Sequence, residues 1–149
     1  MRWTKVLAAG LMGALILGTG PLMGAQESTK VLVTVLRASN EGQDFNLEND
    51  AYRDELIKLF SYTSYHQIGQ RYAEIPKGDS QTVMLPGDYE MILTYQGEEN
   101  GRLLLRAIIR KSGQQYVNTV LSSLKTGVVC LGGPPLENGV MIIVLEMGF

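Results

Sequence analysis

The sequence predicts a mainly β protein, an antiparallel β-sandwich with one packed α-helix near the N-terminus of the mature domain. From Pro76 onward, turn signals follow one another at intervals of about 8 to 14 residues, which is typical of short strands in a sandwich or barrel. One segment, residues 49–60, has helical rather than alternating periodicity. A chain of 149 residues has room for one ordinary domain.

Residues 1–25 have the pattern of a secretory signal peptide, which would leave residues 26–149 as a single mature domain. Arg2 and Lys5 precede an uncharged run, 6–25, which Gly and Pro residues interrupt and small residues end. An uncleaved membrane anchor is the alternative, because a run of this length can just span a bilayer. The expected location is the periplasm or the extracellular space.

The first strand is predicted at 30–38, and the helix follows at 49–60. Apolar residues of this helix fall at i, i+4, i+7 and i+8 and therefore share one face: Tyr52, Leu56, Leu59 and Phe60. Asn49 or Asp50 is expected to cap its start. The later strands are predicted from alternation and turn residues, the first of them with a break near Gly69 left open: 62–75, 80–85, 88–96, 102–111, 115–124, 127–131 and 139–147.

The hairpin from 88 to 111 has the clearest alternation. Every second position of its two strands is apolar, which predicts their core face: Tyr89, Met91, Leu93, Tyr95, Leu103, Leu105, Ala107 and Ile109. Placing Gln96 opposite Arg102 across a loop of about five residues makes the two apolar rows coincide. The weaker alternation of 115–124 leaves its register open.

Three tyrosines in one segment, Tyr62, Tyr65 and Tyr72, are candidate binding residues. Tyrosines on a sheet can stack on sugar rings or serve a protein interface. The alternative is ordinary strand packing, because tyrosine favours strands.

A second candidate site is the row formed by Arg102, Arg106 and Arg110, which recur every fourth residue and so share one strand face. Such a row could grip an anionic envelope polymer, because guanidinium groups match phosphate well. The alternative is a solvated face, in which Asp88 lies near Arg110 and Glu90 lies diagonal to Arg106.

Metal and catalytic signatures are weak. Oxygen side chains recur in a spacing like that of an EF-hand loop, at Asp44, Asn46, Glu48 and Glu55. The glycine needed at the tight turn is replaced by Asn49, so the sequence predicts no metal site. His66 is the only imidazole and lies beside hydroxyl-bearing residues, and Cys130 is the only thiol and is expected to pack as a small hydrophobe.

Three short motifs resemble a loosely defined group of small exported bacterial β-rich proteins without assigned activity: the Val31–Ser39 strand ending in Arg-Ala-Ser, Phe60-Ser-Tyr-Thr-Ser-Tyr65, and Leu131-Gly-Gly-Pro. The resemblance implies a bacterial envelope setting and no particular activity. The last of these motifs also resembles the Gly-Gly turn near the end of secretin channels, over about twenty residues, and departs from it at Pro134-Pro135.

Composition excludes several functional classes. The chain has 13 basic and 15 acidic side chains, so it lacks the excess of positive charge that would predict nucleic acid as a partner. With one Cys and one His, it can form neither a disulfide framework nor a Cys/His metal cluster. No cofactor is predicted.

The sequence therefore predicts an exported, non-enzymatic binding or assembly module of the bacterial cell envelope. Its expected partner is another envelope protein or polymer, and the oligomeric state stays open. One alternative is a small envelope hydrolase that uses His66 or paired carboxylates. The other is a small outer-membrane β-barrel, whose last strand would be the alternating segment 141–149.

We expect cleavage after Ala25 in the native host. The intact mass of the exported protein should then correspond to a chain that begins at Gln26. Because Trp3 is the only tryptophan, the same sample should show tyrosine fluorescence alone. A full-length chain held in the inner membrane would contradict the prediction.

Overall fold

The computed structural model describes residues 27–46 and 52–148. The predicted signal peptide, its cleavage point and the predicted helix caps, Asn49 and Asp50, lie outside the described residues. The described chain forms these elements in order: β1 (Ser28–Ser39), β2 (Phe45–Asn46), α1 (Arg53–Leu59), β3 (Ser64–Pro76), β4 (Ser80–Leu85), β5 (Tyr89–Glu99), β6 (Arg102–Lys111), β7 (Gln114–Leu124), β8 (Val128–Leu136) and β9 (Gly139–Met147).

The strands form two sheets, and the predicted antiparallel β-sandwich with one packed helix is confirmed. A five-stranded sheet has the order β2-β3-β1-β9-β8, and a four-stranded sheet has the order β4-β5-β6-β7. Neighbouring strands are antiparallel except for the short parallel pair of β2 and β3. The chain therefore leaves the five-stranded sheet after β3, builds the other sheet as consecutive hairpins, and returns at β8.

The main core lies between the sheets and is built from alternate residues of β1, β5, β6 and β9. The predicted core face of the 88–111 hairpin is confirmed, because all eight of its apolar residues are buried there. Val31, Val33 and Val35 of β1 face them from the other sheet, with Ile143 and Leu145 of β9. Burial of these side chains supplies the hydrophobic stabilisation that holds the two sheets together.

A second apolar cluster covers the opposite face of the five-stranded sheet beneath α1. Leu36, Ile142 and Val144 of the sheet pack here with Tyr52 and Leu56 from the helical segment. The central residues of β1 and β9 are therefore buried on both faces, which explains why they are mostly apolar rather than alternating.

The helix is shorter than the sequence indicated. It spans Arg53–Leu59, and Phe60 already has extended backbone angles, φ −131° and ψ 152°. Leu59, expected on the buried face, is 55% exposed. Phe60 packs instead against the sheet near Gly132.

The hairpin register differs from the prediction by three residues next to the turn and by two residues beyond Gln96, from Tyr95 to Glu90. Glu99, not Gln96, pairs with Arg102, because the chain turns within two residues, Asn100 and Gly101. Both have positive φ, 53° and 78°, as the favoured two-residue hairpin turn requires. An irregularity at Gln96 then shifts the pairing, so that Tyr95 lies opposite Leu105. A shift of two residues keeps every side chain on its predicted face.

Two other segments have irregular pairing. The strand whose continuity near Gly69 was left open runs continuously as β3, with a register shift opposite Val35 and Leu36 of β1. The Gly132-Gly133 segment lies within β8, where the pairing with β9 shifts between Gly132 and Pro135.

Leu104 and Leu105 provide a matched test of the core assignment. Leu105 is buried between the sheets, whereas Leu104 is half-buried on the outer face. We expect Leu105→Ala to lower the free energy of unfolding by about 2–5 kcal/mol. Leu104→Ala should lower it by less than about 1 kcal/mol. Urea unfolding of both variants measures the difference, and equal losses would show that the core face is wrongly assigned.

Candidate functional site

The outer face of the four-stranded sheet carries all three predicted arginines. Arg102, Arg106 and Arg110 project from β6 on the side opposite the core. Arg102 Nε donates to Ser122 Oγ over 2.7 Å, and its Nη2 donates to the Ser122 carbonyl over 2.9 Å. Arg106 Nη1 donates to Asn118 Oδ1 over 2.7 Å. Two of the three guanidinium groups therefore lean toward β7.

Arg110 leans the other way. Its Nε is paired with Glu90 Oε1 on β5, directly across the ladder. The expected partner of Arg110 was Asp88, with Glu90 diagonal to Arg106, and the two-residue difference in register accounts for the change. Arg106 lies opposite Thr94 instead. Arg102 and Arg106 are thus bonded to neutral acceptors, whereas Arg110 is bonded to a carboxylate.

The predicted tyrosines do not form one row. Tyr65 is fully buried beneath α1, where its ring centroid lies 5.2 Å from that of Phe45 and 6.4 Å from that of Tyr62. Its hydroxyl donates to the Leu56 carbonyl over 3.4 Å, and burial raises its pKa. Tyr72 is 55% exposed and lies opposite Leu32, farther along the sheet. The structure therefore brings Tyr62 and Tyr65 together in the packing beneath the helix and leaves Tyr72 apart from them.

Strand β7 is a feature that the sequence interpretation missed. It pairs with β6 along one side, and its other side has no strand partner among the described residues. None of its eleven residues is charged and none is proline. Val120 and Leu124 are 43% and 58% exposed on its outer face. A long, uncharged, partly apolar edge strand is a ready template for pairing with another strand.

The other sheet edges carry devices that discourage such pairing. β2 has two residues, and β4 has six, about half the length of β7. β8 contains Pro134 and Pro135 and a register shift. Beyond its short pairing with β2, β3 carries Arg71, Glu74 and its own register shift. β7 has a register shift as well, at Tyr116 near its start, but Val117–Leu124 continue beyond it without proline, charge or irregularity, the longest such edge in the part of the chain that the structure describes.

The core is open beside β7. The inward residues of β5 and β6 are buried, but Val117, Thr119 and Leu121 of β7 are only half-buried. Leu131 on β8, across the sandwich, is half-buried as well. The weak alternation of 115–124 was the sequence signal that could have indicated this opening. A strand whose inner face is only half-buried does not need an apolar residue at every second position.

His66 lies at one end of the sandwich beside a polar cavity of about 270 Å³, lined by Arg37, Ser39, Glu41, His66 and Asn138. His66 Nε2 is 3.4 Å from Asp44 Oδ2, an arrangement that could orient an imidazole as a base. The Ser39 hydroxyl accepts a hydrogen bond from the Glu41 backbone over 3.4 Å. No hydroxyl in the described residues is hydrogen-bonded to His66.

A larger cavity, of about 460 Å³, lies at the other end and is lined in part by Glu27, Tyr95, Glu98 and Lys125. The Tyr95 hydroxyl donates to Glu27 Oε1 over 2.8 Å, and Lys125 pairs with Glu98 over 3.2 Å. Burial, together with the bond to Glu27, raises the pKa of Tyr95 to about 12. These partners satisfy one another and tie residue 27 to the four-stranded sheet.

Asp44 and Glu55, two residues of the calcium-like spacing, have separate partners in the structure. Asp44 pairs with His66, and Glu55 pairs with Lys58 over 3.8 Å, while Glu48 lies outside the described residues. Within 27–46 and 52–148, no three potential metal ligands from His, Cys, Asp or Glu come together.

No helix among the described residues is long and apolar enough to cross a membrane.

Comparison with protein-family models, curated proteins and solved structures gives no significant match for this chain. The resemblances noted in the sequence therefore stay predictions.

Cys130 is half-buried on β8 and packs with the cluster beneath α1. Burial and the charge of Glu55 raise the pKa of its thiol from 9.0 to about 11. The thiolate is the nucleophile, so both effects lower the reactivity of the thiol.

We expect Cys130 to react with iodoacetamide at pH 8 about a hundredfold more slowly in the folded protein than in urea, because a two-unit rise in pKa lowers the thiolate fraction by that factor. The folded-state rate should continue to rise between pH 9 and 11. Glutathione, measured alongside, controls for effects of urea on the reagent. Equal rates of alkylation in the folded and the unfolded protein would contradict the raised pKa of Cys130.

Proposed function

We propose that the protein is an exported, non-enzymatic assembly module of the bacterial cell envelope that binds another envelope component through the free edge of β7. The observation that carries the proposal is the contrast between β7 and the other sheet edges. The other edges are short or carry features that discourage pairing, whereas β7 pairs regularly with β6 from Val117 to Leu124 and offers a row of backbone donors and acceptors over that length.

Strand addition gives such an edge a physical mode of binding. Main-chain hydrogen bonds supply affinity, and the side chains on the two faces of the added strand supply specificity. Here the added strand would also cover Val117 and Leu121, whose half-burial leaves apolar surface in water. Binding at β7 would therefore complete the open side of the core as well as the sheet.

The second candidate function, a small envelope hydrolase, is favoured by His66, which lines the polar cavity and lies 3.4 Å from Asp44. General-base catalysis requires that the imidazole reach a nucleophile or a substrate proton. The hydroxyl of Ser39, which lines the same cavity, is bonded to the backbone of Glu41 rather than to His66. We therefore place binding ahead of hydrolysis.

Photo-crosslinking in the native host tests the proposed function. One variant carries a photoreactive amino acid in place of Val120 on β7, and the matched control carries it in place of Thr82, which is exposed on β4 at the opposite edge of the same sheet. We expect a discrete adduct with an envelope component from position 120 and none from position 82. Mass spectrometry identifies the adduct.

Two outcomes would contradict the proposed function. An adduct from position 82 alone would move the contact to the other edge of the sheet. Adducts with cytoplasmic proteins only would overturn the envelope role.

A further inference from the structure

We infer that β7 takes as its partner an extended protein segment with acidic side chains at positions i and i+4 of its outer face. This inference rests on the proposed function, because it names the chemistry of the strand that the β7 edge would bind. It is carried by the charge distribution around that edge.

The edge itself is neutral, but its surroundings are basic. β7 contributes no charged residue, while Arg102, Arg106, Lys111 and Lys125 lie on β6 or at the ends of β7. Lys125 is paired with Glu98, and Lys111 lies 4.9 Å from the centre of the Tyr89 ring. Arg102 and Arg106 hydrogen-bond only to neutral acceptors among the described residues. Glu99 lies opposite Arg102 in the ladder without forming an ion pair with it, and Thr94 lies opposite Arg106.

The guanidinium groups of Arg102 and Arg106 lean toward the free edge. Arg102 reaches Ser122 and Arg106 reaches Asn118, and both of these residues lie on β7. An added strand would pair alongside them. A strand paired with β7 would lie about 4.8 Å farther out. From there, an Asp or Glu side chain of the added strand could reach the guanidinium groups. A carboxylate would then accept charge-assisted hydrogen bonds, which are stronger than those to a neutral hydroxyl or amide.

The spacing of the arginines' partners sets the spacing of the acids. Asn118 and Ser122 are four residues apart on one face of β7, so residues of the added strand opposite them are i and i+4 on that same face. The residues at i+1 and i+3 lie opposite Thr119 and Leu121 and point toward the half-open core. The segment therefore has acids at its outer positions and small or β-branched apolar residues at its inner positions.

A second copy of this chain fits the site less well. Its β7 has no acid to place near Arg102 or Arg106, and pairing two β7 strands would bring the same arginines of both copies toward one another. The charge of the surroundings therefore favours a different, acidic strand.

Peptide binding to the exported, purified protein tests the inference. The probe is a fluorescent, end-blocked peptide, Thr-Glu-Val-Thr-Val-Glu-Thr, and its matched control has Gln in place of both Glu residues. We expect the acidic peptide to bind about five- to tenfold more tightly than the Gln peptide at low salt, from two exposed ion pairs. This preference should shrink as salt is added.

Protein variants locate the preference. The double variant Arg102→Gln, Arg106→Gln should bind both peptides equally, whereas Arg71→Gln, an exposed arginine of the other sheet, should keep the preference. A third peptide, N-methylated at alternate amides, retains its charges but cannot complete a ladder with β7. It should lose binding, because strand addition depends on those amides.

Each other result overturns a defined part of the inference. Equal binding of acidic and Gln peptides through β7 removes the acidic specificity while the proposed function stands on its crosslink. Undiminished binding of the N-methylated peptide removes strand addition. Absence of peptide binding, combined with self-association that Val120→Lys abolishes, makes the occupant a second copy.

Discussion

The ladder between β1 and β9 is the constraint on which the rest of the structure depends. These strands lie next to each other within the five-stranded sheet and pair from Val31 opposite Met147 to Ala38 opposite Val140. Their side chains are buried on both faces, between the sheets on one side and beneath α1 on the other. Because the backbone groups of this ladder are shielded from water on both sides, they must be bonded within the sheet. The first and last strands of the described chain are thereby fixed together, and the four-stranded sheet is held against them.

The four-stranded sheet has a different task because only one of its faces is buried. Its inner side chains complete the main core, while its outer face presents arginines and aliphatic residues to solvent. Its last strand, β7, has no strand partner on one side among the described residues, and the chain then crosses to β8 in the other sheet. The side of the sandwich where β7 and β8 lie is consequently less well covered than the centre. In the proposed function, recognition would use the outer face and free edge of this sheet, while its inner face contributes to the core.

Alternation in the sequence was enough to predict the sandwich and the faces of its hairpin. Every second residue from Tyr89 to Tyr95 and from Leu103 to Ile109 is apolar, and burial follows that pattern. The register was harder, because several turns between Gly97 and Gly101 keep the same faces in contact. The positive φ of Asn100 and the shift at Gln96, which decide among them, depend on the local backbone.

The candidate site was less predictable than the fold, since edge status depends on strand order. The composition of β7 can be read from the sequence. That β7 pairs with β6 alone among the described strands cannot be read from it. The arginines were visible as well, yet their direction was not. A carboxylate was expected beside Arg110, but the residue was wrong, because Glu90 and not Asp88 pairs with it. The lean of Arg102 and Arg106 toward Ser122 and Asn118 depends on side-chain conformation, which the sequence does not state.

An uncharged edge strand could pair with the same strand of a second copy, and the neighbouring arginines disfavour that pairing. If two β7 strands paired antiparallel about Thr119, Asn118 of each copy would lie roughly 8 Å from its counterpart, from strand spacing and residue rise. Arg106 would be near each of these positions, so two like charges would approach within about one Debye length. The same groups attract a strand with carboxylates. Charge placed on β6 rather than on β7 thus leaves the edge open to pairing while selecting which strand can pair with it.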